Sequence, residues 1–135
     1  PFLMVPVTSV DVLANLSVDP GIFTKLDVHR EGKIAAGYYY ARTGERSFQV
    51  RMFAPWDGIP EDPATGSAAA AFSGAVAAFD KLSDGEHKIS IVQGVEMGRR
   101  SEIGLTITME GGVLIAARIS GEAVKIAEGT MFLPD

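Results

Sequence analysis

The stretch Glu61-Asp62-Pro63-Ala64-Thr65-Gly66-Ser67-Ala68-Ala69-Ala70-Ala71-Phe72 places a carboxylate, a proline-fixed turn and two hydroxyls directly ahead of an alanine-rich segment. Asp62 precedes a proline, which pushes its backbone toward extended geometry, so the helix has to begin after Pro63. Gly66 lets a ligand approach the main chain closely. The first turn of such a helix carries amide N–H groups without intrahelical partners and the positive end of the helix dipole. Together these favour a carboxylate or phosphate at Thr65, Gly66 and Ser67. The competing explanation is plain capping, because Asp, Thr and Ser are also the ordinary residues at a helix start.

Working outward, the segment that follows is apolar almost all the way round, with Phe72, Val76 and Phe79 at i, i+4 and i+7 among alanines. That is the pattern of a fully buried helix. Before it, residues 34–40 and 48–53 read as two strands joined around Thr43-Gly44-Glu45, the second alternating Phe48, Val50 and Met52 against Gln49 and Arg51. After it, residues 88–92, 103–109, 113–119 and 123–127 alternate at strand period between glycine-marked turns, as in a meander. Ser9 or Thr8 starts a short helix through Leu16, and Asp19-Pro20 starts another over 22–26. The expectation is one α+β domain over residues 1–135, with a curved, barrel-like mixed sheet wrapped around a single central apolar helix.

Four stretches carry a family resemblance. They are EDPATGSA from Glu61 with its alanine-rich helix, the opening PFLMVPV from Pro1, QGVEMGRRSEI from Gln93, and GEAVKIAEGTM from Gly121. Together they resemble the carboxy-terminal half of the PhzF-like isomerases, whose fold is that of diaminopimelate epimerase. The first motif is quite specific, QGxxMGR moderately so, and the end segments weakly. Arg100 departs from the pattern, since a proline commonly follows the Gly-Arg pair. The resemblance implies half of a duplicated fold and a cofactor-independent isomerase or epimerase that moves a proton on a small carboxylate-bearing metabolite. By the same resemblance Asp62 and Ser67 are the candidate catalytic residues, and Thr65, Gly66, Gln93 and Arg99 the candidate substrate-binding residues. In the family a glutamate and a Gly-His pair come from the first half, and this chain contains neither in a matching context. The chain is therefore expected to be a piece of a longer product and catalytically incomplete alone, completed by the amino-terminal half or by a second copy in a homo-oligomer. A non-catalytic small-molecule-binding or assembly module is the alternative.

Composition fits one compact core: 47% of the residues are hydrophobic and 21% charged, with a mean hydropathy of +0.18. A net charge of −5 gives no electrostatic footprint for nucleic acid. The longest apolar stretch, 68–79, falls short of the roughly 18–20 residues that span a bilayer, so no membrane partner is expected. Without cysteine there is no thiol acid/base pair and no thiolate metal site, and a cytoplasmic location fits. His29 and His87 lie among charged residues without metal-ligand spacing, so both are expected to be solvated and no metal is expected. Trp56 is expected to cover the core. Glu61 and Asp62, adjacent on an extended chain, point in opposite directions and do not share a proton, with one of them facing solvent.

Overall fold

Alternation along the chain becomes the core. The computed structural model describes residues 1–23, 29–30, 33–34 and 36–132. Its main sheet takes β1 (Phe2–Pro6), β4 (Ala36–Gly44), β5 (Ser47–Ala54), β7 (Gly85–Gln93), β8 (Ser101–Glu110) and β9 (Val113–Gly121) in that spatial order, with β6 (Ile59–Asp62) added beside β5. A separate ribbon pairs β2 (His29–Arg30) with β3 (Lys33–Ile34). The helices are α1 (Val10–Ala14), α2 (Pro20–Phe23) and α3 (Gly66–Asp80), and a 3-10 turn spans Pro55–Asp57.

The inward residues of each strand meet one face of α3. Phe48, Val50 and Met52 of β5, Ile89 and Ile91 of β7, and Ile103, Leu105, Ile107 and Met109 of β8 pack with Ala68, Ala69, Phe72 and Val76. Burying a large apolar side chain contributes about 1.5–3 kcal/mol, so this inner row supplies the main drive to fold. The expected α+β architecture of a curved sheet around one main helix is what forms. The β4–β5 hairpin closes at Gly44↔Ser47, and β7, β8 and β9 form the expected antiparallel meander. Trp56 packs against the core, as its position suggested.

The sheet is mixed, as expected, because β1 pairs in parallel with β4 and β5 in parallel with β7, while other expectations are corrected. Parallel partners are distant in sequence and leave no hairpin signature. Helix α3 is buried on one face only. Ser67, Ala71, Gly74 and Ala78 are exposed, and Phe79 is 77% exposed. The sheet curls only part of the way round, and alanine is too small for its pattern to distinguish a covered face from an open one. Residues 123–127 form no strand, and 122–132 are exposed throughout, since a strand needs a neighbour and the β8–β9 ladder ends at Ile103↔Gly121. The helix expected over 22–26 begins earlier as α2, and residues 24–28 lie outside those described.

Ser9 does start α1, its hydroxyl accepting the Val12 N–H at 3.2 Å. A second local device closes the β8–β9 turn, where the Asp84 carboxylate accepts the N–H groups of Gly111 and Gly112, each at 2.9 Å. The Gly112 bond, and then the Gly111 bond, holds this carboxyl below its ordinary 3.8. A depressed folded-state value means that the contribution is present above the unfolded value and is lost as pH falls through the folded one. Asp84→Asn is therefore expected to lose less stability than the parent between pH 7 and pH 3. Urea midpoints at the two pH values check this, and equal losses in both proteins would refute it.

Candidate functional site

The motif sits where β5 changes neighbours. Along one edge, β5 pairs with β7 as far as Val50↔Gln93, and then with β6 from Met52↔Asp62 onward. Gln93 and Asp62 are thus brought to consecutive places on the same edge, and the chain leaves this fork through Pro63 directly into α3. Proline has no N–H to continue the ladder, which ends the strand at Asp62.

Thr65 stands at the helix N-cap in non-helical geometry, but its hydroxyl does not cap α3. It donates instead to Asp62 Oδ2 at 2.6 Å. Capping is therefore not what these residues do, and the first-turn amides of Gly66 and Ser67, both exposed, meet no side-chain cap among the described residues. An uncapped helix start of this kind presents donors and a partial positive charge to an anion.

Gln93 is fully buried and ties the turn together. Its Oε1 accepts the Thr65 N–H at 3.2 Å, while Nε2 donates to the Asp62 carbonyl at 2.6 Å and to Thr65 Oγ1 at 2.9 Å. Both donors are used internally, and the side chain lies behind the motif. Gly94 follows with φ +76°, and a Cβ there would stand 2.4 Å from the Arg99 carbonyl and 2.9 Å from that of Pro63. Only glycine lets the 94–99 loop close against the motif, which it does through Arg99 N–H to Gly94 O at 2.9 Å.

A second buried polar cluster holds the other side of β6, and strand alternation alone did not reveal it. Arg51, 8% exposed, donates through Nε and Nη2 to the two carboxylate oxygens of Glu61 at 2.8 and 2.9 Å. Its Nη1 donates to the carbonyls of Leu13, Ala14 and Leu16 at 3.0, 3.2 and 2.9 Å, gathering the end of α1. Gln49 donates to Glu96 Oε1 at 2.8 Å, and Glu96 Oε2 lies 3.9 Å from Arg51 Nε. The hydrogen bond to Glu61 raises the Arg51 pKa above its usual value, against the opposing effect of burial. Glu61 and Asp62 do point apart, as expected, but neither is simply solvated: one is held by Arg51 and the other by Thr65. The only sequence signal was an acidic residue beside the motif. His87 is likewise buried rather than solvated, its Nε2 lying 2.7 Å from the Ser83 carbonyl. His29 lies in β2, with its side chain outside the described residues.

An open cleft of about 1120 Å³ lies beside the helix start, lined in part by Gly66, Ile119, Arg46, Lys88 and Arg100. Of the six residues singled out by sequence, only Gly66 forms part of its wall. Asp62 and Thr65 lie in the fork and Ser67 is exposed on α3. Arg99 is exposed, but the neighbouring Arg100 is the one that lines the cleft. Among the described residues, no three His, Asp or Glu side chains gather as a metal centre requires, and no helix is long and apolar enough to cross a membrane.

The phenazine biosynthesis-like protein family, PhzC-PhzF, matches residues 1–129. The chain belongs to this PhzF-like isomerase family. An uncharacterized isomerase of Mesorhizobium japonicum is 42% identical over 98% of this chain and 45% of its own length. The trans-2,3-dihydro-3-hydroxyanthranilate isomerase of Pseudomonas aeruginosa is 38% identical over 65% of this chain and 31% of its own length. The chain thus spans under half the length of these PhzF-like relatives. In fold it is similar to the crystal structure of the Bacillus anthracis phenazine biosynthesis protein of the PhzF family, with a TM-score of 0.66 at 18% identity, covering 88% of this chain and 45% of that one.

Proposed function

We propose that this chain is the carboxy-terminal domain of a cofactor-independent PhzF-like isomerase and supplies its anion-binding wall. The reading rests above all on the uncapped start of α3, where the Thr65 hydroxyl is turned away to Asp62 and the Gly66 and Ser67 amides are left for a ligand. A substrate carboxylate lies against those amides and the Ser67 hydroxyl. Asp62 accepts a hydrogen bond from a neighbouring amine or hydroxyl of the same molecule, with Arg100 at the cleft edge adding positive charge. Fixed donors facing a developing negative charge are what proton transfer at carbon requires. The base that moves the proton comes from outside this chain, either from an amino-terminal half or from a second copy facing the open side of α3.

The substrate named for the Pseudomonas relatives, trans-2,3-dihydro-3-hydroxyanthranilate, carries a carboxylate, an amine and a hydroxyl on one ring. That makes it a suitable probe. Titrated into the isotope-labelled chain, it is expected to shift the Gly66 and Ser67 amide resonances. Asp62→Ala is expected to weaken its binding tenfold or more while lowering stability by no more than about 3 kcal/mol, the range for one hydrogen bond to a charged group. Unmoved Gly66 and Ser67 resonances, or an unaltered affinity in the variant, would overturn the assignment. Binding without turnover, even after an amino-terminal half is supplied, would favour a binding module over an enzyme domain.

A further inference from the structure

We propose that Gln93 is a positioning residue that acts through Thr65 to hold the Asp62 carboxylate in one orientation, leaving Oδ1 as the oxygen available to a ligand. The inference rests on the reading of Asp62 given above for its use, but its geometry stands independently. The Gln93 amide has one consistent orientation. Its Oε1 faces the Thr65 N–H at 3.2 Å, and Nε2 faces two acceptors, the Asp62 carbonyl at 2.6 Å and Thr65 Oγ1 at 2.9 Å. Turning the amide over would set its oxygen against a carbonyl and its NH2 group against an N–H, so the assignment follows from the partners.

That orientation propagates. Thr65 Oγ1 accepts a hydrogen bond from Gln93 and has one hydroxyl hydrogen of its own to donate. The acceptor it reaches is Asp62 Oδ2, at 2.6 Å. The hydrogen bonds therefore run in one direction, from Gln93 to Thr65 to Asp62. Oδ2 is committed, and Oδ1 has no partner among the described residues. Hydrogen bonds to a charged acceptor are about twice as strong as neutral ones, so the carboxylate is held against rotation. Full burial of Gln93 and the contact of Gly94 with Pro63 keep the donor in place. A carboxylate fixed in this way meets a ligand without first losing rotational freedom, the condition for precise orientation.

Two near-isosteric variants separate this role from simple support. Thr65→Val removes the middle of the chain, and Gln93→Glu replaces the NH2 donor with an acceptor that draws the Thr65 proton away from Asp62. Thr65→Ser retains the relay. The first readout needs no ligand. The Asp62 side-chain carboxyl ¹³C resonance at pH 7 is expected to move in Thr65→Val and in Gln93→Glu, and to stay near the parent value in Thr65→Ser. An unmoved resonance in folded Thr65→Val or Gln93→Glu overturns the proposal, whatever the outcome of ligand binding.

The second readout uses trans-2,3-dihydro-3-hydroxyanthranilate as the probe. Thr65→Val is expected to weaken its binding tenfold or more in the parent background and less than threefold in the Asp62→Ala background. Residues acting through one another are non-additive in this way. Equal losses in both backgrounds would assign Thr65 and Gln93 to support alone. If the parent chain does not bind the probe, the proposed substrate class fails while the carboxyl resonance still decides the relay.

Discussion

Arg51→Met is expected to lower the unfolding free energy by about 3–5 kcal/mol, the cost of removing one partner from a buried ion pair. Arg51 is 8% exposed, and its guanidinium donates to Glu61 through two parallel bonds of 2.8 and 2.9 Å. Methionine is similar in length and apolar, so the strand itself tolerates it. What it leaves behind is a Glu61 carboxylate with side-chain exposure of 16%, a neighbouring Glu96 at 13%, and the carbonyls of Leu13, Ala14 and Leu16 without their donor. Removing the stranded charge tests this account. In Arg51→Met/Glu61→Gln, part of the loss is expected to return, because a neutral amide costs less to bury than an unpaired carboxylate. Urea denaturation of the three proteins makes the comparison. A loss below about 1 kcal/mol in the single variant would place this pair with exposed surface pairs.

Phe72→Ala is expected to cost about 3–5 kcal/mol, as large-to-small substitutions in a packed core do. The ring is 1% exposed and lies 4.7 Å from Tyr40, 5.0 Å from Phe48 and 5.6 Å from Tyr38, centroid to centroid. It is the point where α3 meets the β4–β5 hairpin, so its loss opens a cavity with aromatic walls on several sides. Phe79→Ala provides the control. This residue belongs to the same apolar pattern but is 77% exposed, and its removal is expected to change stability by no more than about 0.5 kcal/mol. Thermal or urea unfolding of both variants distinguishes them. Equal and large losses would mean that the open face of α3 is covered in solution, as a partner half or a second copy would cover it.

The contrast between Phe72 and Phe79 also shows how far periodicity reaches. A helix starting after Pro63, strands on alternating residues, and the hairpin at Gly44 are local matters, decided by backbone restriction and by which side chains avoid water. They were legible for that reason. The β1 and β7 pairings in parallel, the short β6 and the open face of α3 were not, because each depends on segments far apart in the chain. The same holds within the candidate site. Asp62, Thr65, Gly66 and Ser67 form one contiguous motif, and the anion-binding role proposed for it follows from helix-start chemistry. Gln93, read from the sequence as a substrate contact, is fully buried behind the motif, and that burial is what favours the positioning role proposed for it.

By itself the sequence determined that a carboxylate and a helix start stand side by side, and that an apolar helix and alternating strands build one α+β domain. Only the tertiary structure decided which polar groups meet. Thr65 and Gln93 are separated by 28 residues and Arg51 and Leu13 by 38, and they come together because β5 passes one of its edges from β7 to β6 at the fork. Hydrogen-bond partners follow from that edge geometry, and residue spacing along the chain carries no record of it.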